Sequence, residues 1–199
     1  MAFSPCTTAG LTASIATACA EPRLKGYEQI GIIILKSDID LTATAVDANN
    51  PRIINSLSLK TGKPAAVIYN SRKTPLPFNG TQTVYNRDEN QYDKTVQFYY
   101  EGVGGDSALS VVEPLKDGDY VVILERKQKY GAGSFQVFGW QKGLSAGNDG
   151  GAQVQDEETG YWLITMTTQE PFAEVELLDV TYDYSVTKID FDAWVAAAK

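Results

Sequence analysis

The residue types that could do chemistry in this 199-residue chain are carboxylates, two cysteines and clustered glycines, because the sequence contains no histidine. That absence excludes Ser-His-Asp and Cys-His catalysis, histidine-ligated zinc and general-base catalysis by imidazole. Two Asp-x-Asp pairs remain, Asp38 with Asp40 and Asp190 with Asp192, and such pairs can ligate a hard cation or act as acid and base. The first pair also fits the polar face of an amphipathic strand, and Asp190 fits a helix cap. We therefore expect structural roles for both pairs.

The other clusters of reactive residue types lack the spacing that a known site requires. The acidic run 156–158 lacks the spaced oxygen ligands and the glycine of an EF-hand loop. The glycines of 102–105 and 147–151 lack the lysine of a P-loop and the order of a dinucleotide-binding motif. Cys6 and Cys19 fit neither a CxxC motif nor a zinc knuckle, and both a disulfide and two reduced thiols remain open. We predict no catalytic, cofactor-binding or metal-binding residue, and hence a protein that is not an enzyme.

Charge and aromatic content narrow the classes of binding partner. The chain has 17 Lys and Arg against 25 Asp and Glu, a net charge of −8, which disfavours a nucleic-acid reader that works by neutralising phosphates. Trp140, Trp162 and Trp194, together with 11 tyrosines, could form a platform for sugars, although cores and subunit interfaces use the same residues. The longest apolar run, 30–35, is too short to span a membrane, so we predict no membrane anchor.

Most of the chain after residue 26 has the pattern of short strands. The continuous apolar run of 29–36 is typical of a strand covered on both faces, whereas 38–46 alternates like a half-buried strand. Further strands are predicted at 57–59, 65–69, 95–101, 120–124, 135–140, 160–168, 173–177 and 180–184. Short helices are predicted at 106–113, ended by Pro114, and at 190–198.

This spacing predicts a mainly β fold: an antiparallel β-sandwich or barrel with one or two short helices and an extended N-terminal arm. The arm, 1–25, is rich in Ala, Thr and Ser without a clear period, and a single β-rich domain, 26–199, follows it. The polar stretch 70–90 is the longest predicted loop. We expect the arm and this loop to become ordered by contact with a partner.

The block 117–178 is similar to a known group of proteins. Its strand and turn motifs resemble those of tail-tube-like virion proteins of tailed phages and prophages of Bacteroidetes. They are GDYVVILE at 118–125, GAG at 131–133, FQVFGW at 135–140 with GL at 143–144, and GYWLIT at 160–165.

The resemblance implies a structural protein of the virion, assembled in the cytoplasm of the bacterial host, whose loops and arms contact neighbouring subunits. It implies partners of three kinds: copies of itself in a ring or tube, other virion proteins, and translocating DNA in passive contact. A capsid-decorating or head-completion protein and a carbohydrate-binding β-sandwich remain the alternatives. If the protein forms a tube, its acidic side chains should line the lumen more densely than the outer wall.

Overall fold

The computed structural model describes residues 24–70, 77–101, 108–129, 133–146, 152–154 and 161–198. The strands are β1 (Tyr27–Leu35), β2 (Ala45–Val46), β3 (Ile53–Ser56), β4 (Ala66–Tyr69), β5 (Gln82–Asn86), β6 (Gln91–Tyr100), β7 (Tyr120–Arg126), β8 (Phe135–Phe138), β9 (Ala152–Val154), β10 (Trp162–Glu170) and β11 (Val175–Leu177). A 3₁₀ turn (Lys36–Asp38), a π-helical turn (Ala108–Val112) and the helices α1 (Glu113–Asp117) and α2 (Tyr184–Ala197) complete the described elements.

The strands form two sheets. The larger has the order β2-β3-β11-β8-β7-β1-β4 and the smaller the order β5-β6-β10-β9. Their neighbours are antiparallel except for β3 beside β11. The prediction of a mainly β, antiparallel fold is confirmed apart from that one parallel pair, and the sandwich alternative is correct, because in the described part of the chain both sheets have edge strands and neither closes into a barrel.

The larger sheet lies in the middle of three layers. Ile32 and Ile34 of β1 face a core that includes Phe191 and Val195 of helix α2. Ile33 faces the second core, where the smaller sheet packs. The strand is covered on both faces, and this explains why its sequence is continuously apolar instead of alternating.

Helix α2 begins at Tyr184, which is the last residue of the strand predicted at 180–184. The sequence predicted that a helix would begin only at Asp190. Asp183 caps it, since its Oδ1 accepts hydrogen bonds from the Ser185 N–H and hydroxyl, both at 2.7 Å. The predicted strand at 180–184 is therefore wrong, and so is the role of Asp190 as a cap, because Asp190 lies exposed in the second turn. The sequence signal was a capping Asp followed two residues later by Ser.

The alternating pattern of 38–46 does not form one long strand. Asp40 Oδ1 accepts hydrogen bonds from the Thr42 N–H at 3.0 Å and from the Thr42 hydroxyl at 2.6 Å, which closes a turn. Leu41 is consequently 68% exposed, and only Ala45–Val46 pairs as a strand. The hydrogen bonds of the Asp40 side chain therefore determine the local structure here, and the alternating pattern does not.

Three further predictions need correction. Residues 57–59 contribute only an isolated bridge, between Leu59 and Ile39. Pro114 lies in the first turn of α1 instead of ending a helix, and a proline is tolerated there because it lacks only a hydrogen-bond donor that has no partner in the first turn. The loop predicted over 70–90 contains strand β5, whose Thr-Val-Tyr centre has high β propensity. The predicted arm lies outside the described residues up to residue 23, as do 71–76 of the predicted loop.

Candidate functional site

The two Asp-x-Asp pairs are not brought together by the fold. Asp38 lies 3.3 Å from Lys63 Nζ, while Asp40 closes the turn described above. Asp192 pairs with Lys188 on the exposed side of α2, at 2.6 Å. Among the described residues, no three His, Cys, Asp or Glu side chains are grouped so that they could hold a metal ion. The acidic run 156–158, both cysteines and the glycines 102–105 and 147–151 lie outside the described residues.

Strand β5 forms one edge of the smaller sheet. Its sequence, Gln-Thr-Val-Tyr-Asn, carries no charge, and among the described residues it pairs with β6 alone. Val84 is 49% exposed and Tyr85 is 50% exposed, and since they are adjacent in a strand, their side chains point to opposite faces. An uncharged edge strand with apolar side chains on both faces is a template for pairing with another chain.

The outer face of the smaller sheet is polar and hydrogen-bonded across strands. Gln97 Nε2 donates to Thr165 Oγ1 at 3.0 Å, and Gln169 Nε2 donates to Asp93 Oδ1 at 3.0 Å. The side chains that β6 and β10 present on this face are Gln91, Asp93, Thr95, Gln97, Tyr99, Leu163, Thr165, Thr167 and Gln169. None of these is Lys or Arg, and the cation beside them is Lys142, in the loop after β8, which donates to Gln91 Oε1 at 2.7 Å.

A buried ion pair fastens the smaller sheet from its inner side. Lys94 Nζ donates to Glu170 Oε2 at 2.6 Å, and neither side chain is exposed to solvent. Glu170 Oε1 accepts a second hydrogen bond from the backbone N–H of Gln141, at 2.7 Å, in the loop after β8. The pair therefore joins β6 and β10 to a loop that leaves the larger sheet.

A second cluster fastens helix α2 to strand β7. The Glu125 carboxylate is almost fully buried and accepts hydrogen bonds from Lys129 Nζ and the Tyr184 hydroxyl, both at 2.6 Å, with Lys188 Nζ at 3.1 Å. Burial raises the pKa of Glu125, but these hydrogen bonds outweigh it, so the pKa lies below its ordinary 4.5. Burial and the bond to Glu125 raise the pKa of Tyr184. The cluster positions the helix and keeps the carboxylate charged.

An apolar groove lies beside the edge strand β4, where the space between the two sheets opens. We call it the β4 groove; it has a volume of about 570 Å³. Its apolar wall includes Ile33, Leu35, Ala66, Ile68, Val111 and Leu115. The charged residue that lines it is Glu101, at the exposed end of β6. Sequence patterns did not reveal the groove, because it combines strands that are distant in the chain.

The aromatic residues singled out from the sequence have mixed positions. Trp140, Trp162 and Trp194 are all half-buried and pack against the two cores. Tyr85 is instead exposed, and its ring centroid lies 5.1 Å from that of half-buried Tyr92, beside a cleft that Phe172 also lines. The accessible aromatic platform is thus made of tyrosines and not of tryptophans.

Comparison with protein families, with curated proteins and with solved structures found no match for this chain. The protein is therefore classed by its fold alone. It is a mostly antiparallel β-sandwich of two sheets, with helix α2 packed on the larger sheet. No helix within the described ranges is both long enough and apolar enough to cross a membrane.

Proposed function

We propose that this protein is a structural subunit of a phage or prophage virion, most specifically of the tail tube, that works by assembling with copies of itself. The observation that carries the proposal is the open, uncharged edge strand β5 with Val84 and Tyr85 exposed. Soluble proteins that stay monomeric protect such edges with charges, prolines or bulges. In β5 none of its five residues is charged or proline.

The topology of the smaller sheet supports a ring. Its four strands alternate in direction, so the two edge strands, β5 and β9, run in opposite directions. Copies related by rotation about an axis along the strands would therefore bring β5 of one copy antiparallel to β9 of the next. Such a head-to-tail contact uses two different surfaces, and it closes into a ring when the rotation divides a full turn evenly.

The outer face of the smaller sheet fits the wall of a channel for DNA. Asp93 is the charged side chain among those that β6 and β10 present there, and the others are hydroxyls, amides, Tyr99 and Leu163. Strands without Lys or Arg offer DNA phosphates few strong contacts, and Lys142, which donates to Gln91, is a single cation beside them, so DNA would be held only weakly. The net charge of −8 acts in the same direction.

The test is a lysine in the edge strand. Val84 lies opposite Asp93 in the sheet register, so Val84→Lys places its cation beside a carboxylate and should leave the monomer folded. We expect the unaltered protein to form rings or tubes in negative-stain micrographs and a large species by light scattering, and V84K to be monomeric. The matched control is Val186→Lys, because Val186 is an exposed valine on α2. A strictly monomeric wild type, or a V84K variant that assembles normally, would contradict the proposal. Closed oligomers that decorate heads instead of tubes would favour the capsid alternative.

A second candidate function is carbohydrate binding, favoured by the cleft beside Tyr85 and Tyr92. Asn90 lies at this cleft and accepts a hydrogen bond from the Tyr85 hydroxyl at 2.8 Å, so aromatic and amide groups lie together. Sugars are bound by such combinations of ring faces and polar groups. A glycan array that gives a hit lost in Tyr85→Ala would support this function, and an array without hits would argue against it.

A further inference from the structure

The β4 groove is an apolar surface whose occupant can be identified from the rest of the chain. Among the described residues, strand β4 pairs with β1 alone, and all four residues of β4 line the groove. A strand added there would extend the larger sheet and place alternate side chains between the two sheets. The occupant should therefore be an uncharged segment with an alternating apolar pattern.

The first 23 residues of the chain contain such a segment. From Ala2 to Ala20 there is no charged residue, and Glu21 is the first. The arm as a whole has no clear period, but within it Leu11, Ala13 and Ile15 are separated by Thr12 and Ser14, so residues 11–15 in an extended conformation would have one apolar face. At roughly 3.3 Å per residue, 23 residues reach up to about 75 Å, which does not limit where the segment can bind.

Strand directions decide between the chain's own segment and that of another copy. The described chain starts near Tyr27, which pairs with Arg126, whereas the groove lies at the other end of β1, at Ile33 and Leu35. These ends are separated by about 20 Å at roughly 3.3 Å per residue. Ala66 lies opposite Ile33 and Tyr69 opposite Ile30, so β4 runs away from the groove end toward the start of β1.

A segment of the same chain that leads directly to Leu24 would run in that same direction and pair parallel to β4; to pair antiparallel it would have to reverse at the groove end and return about 20 Å to the start of β1. A segment from a copy placed end to end beyond the groove would enter in the opposite direction and pair antiparallel. Antiparallel pairing is the more stable of the two per residue. The entering copy also needs no chain reversal, because its own start already faces the groove.

We propose that the β4 groove of each copy binds the segment around residues 11–15 of a second copy stacked end to end along β1. This contact deepens the proposed function and rests on it, since it would join one ring to the next while β5 closes each ring. The contact is head-to-tail and does not close on itself, so it propagates into a tube.

Cross-linking between isotopically distinct copies tests whether the groove binds the segment of its own chain or that of a second copy. A photoreactive benzophenone residue replaces Ile15, and ¹⁵N-labelled and unlabelled full-length copies are mixed before assembly. We expect mass spectrometry to find residue 15 joined to peptides spanning 64–69 in pairs of unlike isotope. Cross-links only within pairs of like isotope would show that the segment folds onto its own groove, and cross-links to another surface would show that the groove is not its site; either result overturns the proposal.

A binding assay separates this proposal from the proposed function. A synthetic peptide of residues 1–22, with both cysteines replaced by serine, is titrated onto a variant lacking residues 2–20. We expect binding that Ala66→Glu weakens at least 10-fold and that Ala45→Glu leaves unchanged, because both alanines are exposed on edge strands of the larger sheet but only Ala66 lines the groove. No binding, or equal binding to both variants, would overturn the groove contact even if rings form.

Binding without rings in the wild type would instead overturn the assembly proposal. In micrographs the deletion should leave separate rings, and intact tubes from the deletion variant would also count against the contact.

Discussion

Removing the charge of Lys94 alone should destabilise the protein more than removing the charges of both Lys94 and Glu170. Both side chains are fully buried, with Nζ and Oε2 2.6 Å apart. In Lys94→Met the carboxylate of Glu170 stays in the interior without its cation. The methionine itself should fit, because Lys94 already packs near the Phe138 ring, with Nζ 6.0 Å from the ring centroid.

The magnitudes follow from the hydrogen bonds that each variant keeps. Leaving one charge of a buried pair without its partner costs about 3–5 kcal/mol. Glu170→Gln retains an oxygen that can accept from the Gln141 N–H, so the double variant K94M/E170Q leaves no buried charge, and its remaining cost is the new amide N–H group, which faces no acceptor at position 94. We expect the double variant to lose only about 1–2 kcal/mol, the scale of one imperfectly replaced hydrogen bond. K94M should therefore lose about 2–3 kcal/mol more than the double variant does.

Urea unfolding in the V84K background measures these differences, since assembly would otherwise add to the apparent stability. The free energy of unfolding should fall as described while the denaturant slope stays constant. Lys142→Met is the control, because Lys142 is exposed and donates to Gln91 at 2.7 Å at the surface; it should change stability by less than about 0.5 kcal/mol. If K94M/E170Q is as unstable as K94M, the buried charge is not the cause and the reasoning is refuted.

Two further predictions concern the cluster that holds helix α2. Tyr184→Phe removes the 2.6 Å hydrogen bond to the buried Glu125 and should lower the free energy of unfolding, measured by heat or urea, by about 1.5–3 kcal/mol. The control is Tyr182→Phe, which removes an exposed hydrogen bond to Asp47 and should lower it by well under that amount. Equal losses in the two variants would contradict the importance of burial. Because the folded pKa of Glu125 lies below 4.5, its contribution to stability should be complete above that pH and be lost as the pH falls through the lower folded value. Unfolding measured between about pH 6 and pH 3 should show this loss, and Glu125→Gln should remove that part of the pH dependence; an unchanged profile would contradict the assignment.

The sequence predicted the strands whose pattern is set by burial and missed those set by local or tertiary contacts. The apolar run of β1 reflects its burial on both faces, and the alternation of β6 reflects a strand with one buried face. The alternation of 38–46 has the same form, but the Asp40 side chain binds the backbone ahead of it and breaks the strand. Strand β5 lies in a polar stretch, and its pairing with β6 could not be inferred from its own composition.

The buried ion pair and the groove could not be predicted for a different reason. Lys94 and Glu170 are 76 residues apart, and each is an ordinary charged residue in a strand pattern. Only the register of β6 against β10 brings them to one interior point. The β4 groove likewise exists only where β1, β4, β6 and the π-helical turn meet. Sequence patterns reveal elements whose residues recur at a regular spacing. The residues of the ion pair and of the β4 groove have no such spacing along the chain.

The two proposed contacts should be separable, because they use different strands in different sheets. V84K acts on the edge of the smaller sheet and A66E on the edge of the larger one, and the two residues share no strand. Energies of independent sites add, so each variant should remove one kind of contact and leave the other. V84K should abolish rings while the peptide of residues 1–22 still binds, and A66E should weaken peptide binding at least 10-fold while rings remain. If either variant removes both, ring closure and stacking depend on one shared surface, and the division of roles between β5 and the β4 groove is wrong.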